Sequence, residues 1–157
     1  MNTTLAACLF TTCLTLTAAA QSTGPGLSFE GSFGGFAGSF HPSCAVLPLI
    51  SFQGETVTLR VWGDPNAPFA IGAAFSTIPC TPIPGIGNGL LLGQGAAILG
   101  GGTLTQLTPC LSCPPGYEAF AFTMPTFFPV GTAVSFQALT FGNNSPALTV
   151  AITATVQ

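Results

Sequence analysis

The feature that most constrains the fold is a strict alternation of side chains near the end of the chain. Five apolar residues occupy every second position there: Leu148, Val150, Ile152, Ala154 and Val156. Successive side chains of a β-strand point to opposite faces, so a period of two predicts a strand with one buried and one wet face. Residues 133–141 form a second such run, and Gly-Asn-Asn-Ser-Pro between the runs is typical of a turn. We therefore expect a β-hairpin at the centre of a β-sandwich.

Shorter runs with the same pattern precede this hairpin. The clearest covers residues 55–62, where Val57, Leu59 and Val61 share one face. Residues 69–75 and 117–124 alternate in the same way. These patterns predict further strands whose apolar faces meet in one core.

Glycine and proline interrupt almost every window long enough for a helix. Residues 45–52 contain Pro48 and are predicted to form an edge or bent strand. Prolines crowd residues 76–89, which predicts a surface loop, and glycines divide residues 90–107 into short strand pieces. We expect an all-β fold, an antiparallel β-sandwich of Ig-like or jelly-roll-like type, with about 7–9 short strands and Gly/Pro-rich loops.

Charged residues are scarce, which excludes several functions. Asp, Glu, Lys and Arg make up 3% of the chain, and Arg60 is its one basic residue apart from a histidine. Binding to nucleic acid or to an anionic membrane needs clustered cations, so we expect no nucleic-acid partner. No apolar run after residue 20 reaches the ~20 residues of a spanning helix, so we expect no membrane span. Low charge leaves little repulsion between copies, which favours self-association.

The start of the chain has the pattern of an export signal. Residues 5–17 are apolar to neutral, and small residues follow as far as Ala20. We predict a signal peptide over 1–20, a Gly/Phe-rich N-terminal segment over 21–43 and the β-sandwich domain over 44–157. The product would be secreted, and extracellular or attached to the cell surface. The Gly/Phe-rich segment is either a flexible arm or an irregular first strand whose phenylalanines fill the core; we favour the strand.

Four cysteines remain after the predicted signal peptide: Cys44, Cys80, Cys110 and Cys113. An even number in an exported chain predicts two disulfides. We slightly favour a bridge between the two Pro-rich loops over the local pairing of Cys44 with Cys80, because Cys110 paired with Cys113 would close a tight ring. A redox pair would need a helix after Cys-x-x-Cys, where Pro-Pro-Gly follows instead. A zinc site would normally show two close pairs of cysteines.

No motif of acid–base, nucleophilic or metal chemistry is present. The candidates are scattered along the chain: His41, Asp64, Glu30, Glu55 and Glu118. Arg60 is expected to pair with an acid on a neighbouring strand such as Glu118 or Glu55. We therefore expect neither an enzyme nor a bound cofactor or metal.

The aromatic side chains offer one candidate for ligand binding. Trp62 shares a strand face with Arg60 that the alternation predicts to be wet, and Tyr117 could stand beside it. β-Sandwich modules bind sugars through exposed aromatic faces, so these three residues are candidates to face a surface glycan. The alternative, which we favour, is that Trp62 covers the end of the core with its N–H group satisfied at the rim.

Two segments together resemble a known module. Residues 63–68 read Gly-Asp-Pro-Asn-Ala-Pro before an apolar strand, and Gln137-Ala138 lies in the strand that precedes the last one. Over roughly residues 54–156 this is similar to a module near the C-termini of secreted planctomycete-type bacterial proteins. Asp64 stands where that module more usually has a small residue, and the Cys-x-x-Cys segment is an addition to it. The resemblance implies a secreted β-sandwich of unassigned activity and transfers no catalytic residue.

Together these observations lead to two hypotheses about function. The first is a secreted, non-catalytic structural or adhesive module at a cell surface or in an extracellular matrix, able to associate with itself. The second is a carbohydrate-binding module that uses Trp62 and Tyr117.

Overall fold

The computed structural model describes residues 24–108, 113–142 and 145–157, so the predicted signal peptide lies outside the described residues. These residues contain thirteen strands and no helix. The strands are β1 (Gly26–Gly31), β2 (Phe36–Ser39), β3 (Val46–Ser51), β4 (Thr56–Gly63), β5 (Pro68–Ala74), β6 (Thr77–Pro82), β7 (Gly89–Leu92), β8 (Ala97–Thr103), β9 (Gln106–Leu107), β10 (Gly116–Thr123), β11 (Ala133–Phe141), β12 (Pro146–Leu148) and β13 (Ala151–Val156).

Two sheets form the sandwich. The first has the strand order β2-β1-β4-β10-β9, and the second has the order β3-β13-β11-β5-β8, with β12 also paired to β11. Strands β6 and β7 form a separate hairpin. All pairs are antiparallel except β13 with β3, which is parallel. The predicted all-β sandwich is therefore confirmed, but the expected 7–9 strands were too few, because short pieces such as β9 and β12 carry no alternation long enough to detect.

The predicted hairpin at the end of the chain is confirmed. Ala133 pairs with Thr155 and Phe136 with Ile152, while Leu139 pairs with Leu148, so the register changes by one residue between them. The side chain of Thr149 fills this break, because its hydroxyl accepts a hydrogen bond of 3.0 Å from the backbone N–H of Ala138. β11 lies between β13 and β5, in the middle of the second sheet.

The core lies between the two sheets and is formed mainly by apolar side chains. Its fully buried members include Val57, Leu59 and Val61 of β4, which confirms the alternation read from the sequence. The second sheet contributes residues such as Phe136 and Ile152. Burial of such side chains contributes roughly 1.5–3 kcal/mol each, which is the main stabilisation of a sandwich like this one.

The segment predicted to precede the domain belongs to the first sheet. β1 lies between β2 and β4, so the sheet crosses the boundary that we drew between residues 43 and 44. Phe29 of β1 is in the core, as the strand interpretation expects. Phe33 and Phe36 are exposed, because the chain turns back between them to form β2.

Two segments that contain prolines or glycines form strands where the sequence predicted a loop or breaks, each for its own reason. Residues 76–89, predicted to be a loop, contain β6, whose pairing with β7 is irregular between Thr77 and Thr81 and so needs no N–H group from Pro79. Strand β8 runs unbroken through Gly100–Gly102, where we had expected breaks. A methyl group on Gly100 would lie 2.8 Å from the ring of Phe120, so the glycines permit close packing rather than ending the strand.

Candidate functional site

Three aromatic rings form a row on the outer face of the first sheet. We name Phe40, Trp62 and Tyr117 the aromatic row. Tyr117 of β10 pairs directly with Trp62 of β4, and their ring centroids lie 4.9 Å apart at an interplanar angle of 29°. Phe40, just after β2, contacts Trp62 from the other side at 5.1 Å and 85°. Tyr117 stands beside Trp62, as the sequence analysis suggested, whereas no sequence pattern pointed to Phe40.

A glycine makes the contact between Phe40 and Trp62 possible. Gly26 of β1 lies opposite Trp62, between β2 and β4. A methyl group on Gly26 would lie 2.8 Å from the carbonyl oxygen of Ser39 and 3.0 Å from the Cα atom of Phe40. The missing side chain therefore lets Phe40 reach across β1 to the tryptophan.

The surroundings of Trp62 leave little of its ring free. Rings flank it on both sides, and its Nε1 donates a hydrogen bond of 3.3 Å to the hydroxyl of Ser28. A sugar would stack on an open ring face, and Tyr117 stacks on one face of Trp62 while Phe40 makes an edge-to-face contact with it. The geometry therefore agrees with Trp62 as a packed residue whose N–H group is satisfied. Ligand binding by Trp62, Tyr117 and Arg60 stays a prediction.

Arg60 pairs with Glu30, on the outer face of neighbouring strand β1. The expectation of an acid on a neighbouring strand is confirmed, but the acid is Glu30, and Glu118 and Glu55 as the named examples were wrong. Glu118 lies opposite Val61 in the register and so belongs to the other face of the sheet, while Glu55 is buried before β4 begins. The Arg60 and Glu30 side chains are 34% and 51% exposed, so the pair contributes at most about 1 kcal/mol.

Glu118 fastens the short edge strand β9 to β10. Its carboxylate accepts hydrogen bonds from the Thr105 hydroxyl at 2.6 Å and from the Gln106 side chain at 3.2 Å. The bond from the Thr105 hydroxyl is the main reason that the pKa of Glu118 is lowered; partial burial opposes it. This carboxylate has a structural role.

Glu55 is a buried carboxylate. The sequence identifies it as a candidate but predicts neither its burial nor its hydrogen-bond partners. It is 1% exposed and lies between the β3–β4 and β1–β2 turns. Its Oε2 accepts bonds from the Ser51 hydroxyl at 2.6 Å and the Phe52 N–H at 2.9 Å, and its Oε1 accepts one from the Phe33 N–H at 2.9 Å. Burial alone would raise the pKa of Glu55, but these three bonds together outweigh it and the pKa is lowered.

A group of phenylalanines lies at the end of the sandwich that contains Glu55. We name Phe33, Phe52, Phe75, Phe127 and Phe128 the aromatic end. Phe33 contacts Phe52 at 5.7 Å, while Phe128 contacts Phe75 at 5.5 Å and Phe127 at 5.0 Å. The side chain of Gln53 links the two groups by donating a 2.6 Å hydrogen bond to the carbonyl of Phe128. Phe127 is 79% exposed, and Phe33 and Phe75 are each about two-thirds exposed.

An apolar cleft of about 290 Å³ opens beside the aromatic end, between β10 and the β5–β8 side of the second sheet. Phe75 and Phe128 line both features, and Leu99, Phe120 and Phe122 form much of the cleft wall. Thr123 is its one residue with a polar side chain. The cleft thus extends the apolar surface of the aromatic end into the sandwich.

The other candidate residues are not gathered into a site. His41 is exposed after β2, and Asp64 lines a separate cavity of about 210 Å³ with Thr140 and Ser145. Among the described residues, no three His, Cys, Asp or Glu side chains are close enough to hold a metal ion. The absence of catalysis and of a cofactor stays a prediction.

The disulfide pairing differs from the one we slightly favoured. Cys44 is bonded to Cys80, with their Cα atoms 5.5 Å apart, so Cys80 is not bridged to the later Pro-rich loop. Asn88 links the segment before Cys44 to the end of β12, since its side-chain amide donates to the carbonyls of Ser43 and Leu148. Cys113 is also disulfide-bonded. Cys110 lies outside the described residues.

Comparisons with known proteins add nothing to this description. No protein-family model, curated protein or solved structure matches the chain. The resemblance to the planctomycete-type secreted module therefore stays a prediction. No helix within the described ranges is long and apolar enough to cross a membrane.

Proposed function

We propose that this chain is a secreted, non-catalytic structural module that makes contacts at a cell surface or in an extracellular matrix through its aromatic end. The observation that carries the proposal is the exposure of Phe33, Phe75 and Phe127 at one end of the sandwich. Large apolar side chains grouped on a surface mark interaction sites, because leaving them in water costs free energy that a partner can recover.

The aromatic end is held in place before any partner arrives. Glu55 ties the backbone of Phe33 to that of Phe52, and Gln53 ties the same region to Phe128. Ordered loops lose less conformational entropy on binding than mobile ones. A rigid set of phenylalanines is therefore suited to recognition and not only to nonspecific adhesion.

Three observations support the extracellular part of the proposal. The Cys44–Cys80 bond is of a kind that persists in oxidising compartments. The export pattern over residues 1–20 agrees with it. The resemblance to secreted bacterial modules gives the same location.

The test is co-sedimentation of the purified chain with the cell-envelope and extracellular-polymer fractions of its source organism. A variant with Phe75→Ser and Phe127→Ser is expected to lose at least tenfold in bound fraction. Phe141→Ser is the matched control, since Phe141 is exposed at the far end of β11. Equal loss in both variants, or no loss in either, would overturn the assignment to the aromatic end.

The same co-sedimentation assay also tests the glycan hypothesis. Carbohydrate recognition at the aromatic row would replace our proposal under two conditions. Soluble polysaccharide would have to compete the binding away. Tyr117→Ser would have to abolish the binding, while Phe75→Ser with Phe127→Ser leaves it intact. Circular dichroism and thermal unfolding of each variant show whether the fold is retained.

A further inference from the structure

The edges of the two sheets differ in how well they are protected from further strand pairing. A sheet edge exposes unpaired backbone groups, and proteins limit pairing there with short strands, prolines or charges. In the described part of the chain the edge strands are β2, β9, β3 and β8. β9 has two residues and β2 has four, while β3 carries Pro48 in its middle. Three of the four edges are therefore protected by short length or proline, whereas the protection of β8 is limited to a β-bulge near Leu99.

β8 has neither a charge nor a proline over its seven residues, Ala97–Thr103. Within the described residues it pairs only with β5, so its other edge is open. One irregularity in register lies near Leu99, and beyond it Gly100 to Thr103 pair regularly with β5. Ile98 is 79% exposed and Leu99 is 41% exposed.

We propose that the open edge of β8 pairs with β8 of a second copy of this chain, so that two copies share one continuous sheet. This goes beyond the proposed function, since it concerns a different surface from the aromatic end. Two antiparallel copies of one edge related by a twofold axis present matching N–H and C=O groups to each other. No charged side chain on β8 opposes such a pairing.

The composition of β8 favours an identical partner over a foreign peptide. Strand addition draws its affinity from main-chain bonds and its sequence specificity from pockets for alternate side chains. Gly100, Gly101 and Gly102 have no side chains with which to build such pockets. They also leave the backbone unobstructed on the open edge. What this strand offers is backbone complementarity over residues 100–103, which the same stretch of a second β8 can match across a twofold axis.

The experiment is sedimentation velocity of the purified chain across a concentration range from micromolar to about one millimolar. We expect a monomer–dimer equilibrium, with Ile98→Lys weakening it at least tenfold because an added strand would have to desolvate the new ammonium group. Leu107→Lys is the matched control: Leu107 is 73% exposed on edge strand β9, and its variant should dimerise like the unmodified chain.

Amide hydrogen exchange locates the contact independently of the variants. Alternate amides of residues 100–103 should become more protected as concentration rises, while amides of β9 should not. A chain that stays monomeric throughout the range, or one for which Ile98→Lys and Leu107→Lys behave alike, would overturn the inference. Self-association lost in Phe75→Ser with Phe127→Ser but kept in Ile98→Lys would assign the contact to the aromatic end instead, and leave the proposed function standing.

Discussion

Glu55 gives the most direct test of how the aromatic end is held together. We consider the change Glu55→Gln, which preserves shape and removes the charge. The carboxylate accepts three hydrogen bonds, from Ser51, Phe52 and Phe33. A glutamine has one acceptor oxygen. If that oxygen keeps the bonds to Ser51 and Phe52, the amide nitrogen must face the N–H group of Phe33, donor against donor.

The expected cost follows from this geometry. A hydrogen bond to a charged group contributes about 1.5–3 kcal/mol, and leaving a buried donor unpaired costs about 1–3 kcal/mol more. Relaxation of the β1–β2 turn recovers part of this, so we expect Glu55→Gln to lower the free energy of unfolding by about 2–4 kcal/mol. For a chain of this size that corresponds to a fall in Tm of roughly 10 °C.

The direction in which pH changes the stabilisation by Glu55 follows from its pKa. The pKa of Glu55 is lowered in the folded chain, so ionised Glu55 stabilises the fold above its unfolded pKa of about 4.3. This contribution is lost as the pH falls through the lower, folded pKa. The difference between the unmodified chain and Glu55→Gln should therefore be full at neutral pH and shrink below about pH 4.

Urea unfolding followed by Trp62 fluorescence measures both the loss of unfolding free energy in Glu55→Gln and its dependence on pH. Glu30→Gln is the control, since Glu30 is exposed in its pair with Arg60 and should change stability by less than about 1 kcal/mol. The reasoning is refuted if Glu55→Gln is as stable as the unmodified chain at pH 7, or if the difference is unchanged at pH 2–3.

Two further predictions concern the aromatic row and the disulfide. Gly26→Ala would place a methyl group 2.8 Å from a backbone oxygen, so we expect a loss of about 1–3 kcal/mol and a shift in Trp62 emission as Phe40 is displaced; an unchanged spectrum would contradict the contact across β1. Cys44→Ser with Cys80→Ser opens a loop with a sequence separation of 36 and should cost about 3–4 kcal/mol in urea unfolding. Reductant should then have a smaller effect on that variant than on the unmodified chain, because among the described residues only the bond of Cys113 is left for it to break, and an equal effect would contradict the assignment.

The parts of the fold that could be predicted are those in which the residue pattern of one continuous stretch is enough to indicate a strand. The alternation of Val57, Leu59 and Val61 depends only on which face of β4 is buried, and the final hairpin carries both strands and the turn in one continuous stretch. Strand β8 could not be predicted this way. Its glycines indicate a break unless one knows that Phe120 packs against Gly100 from the other sheet.

For the candidate site too, features that depend on one strand could be predicted, and features that depend on neighbouring strands could not. Trp62 and Tyr117 could be suggested as neighbours on one face because both lie on long strands with alternating side chains. The partner of Arg60 depended on which strand lies beside β4, and that neighbour, β1, came from a segment predicted to lie outside the domain. Two of the three bonds of Glu55 come from backbone N–H groups, which every residue possesses and no sequence pattern distinguishes.

The few charges of the chain are used inside the molecule, which predicts how its contacts respond to salt. Glu55 is buried, Glu118 is bonded to Thr105 and Gln106, and Glu30 is paired with Arg60. Neither the aromatic end nor β8 includes a charged side chain. Raising sodium chloride from about 50 to 500 mM should therefore change association by less than about twofold, whereas ammonium sulfate should strengthen it. A steep loss of association with sodium chloride would show that ionic contacts dominate, and would contradict both surfaces proposed here.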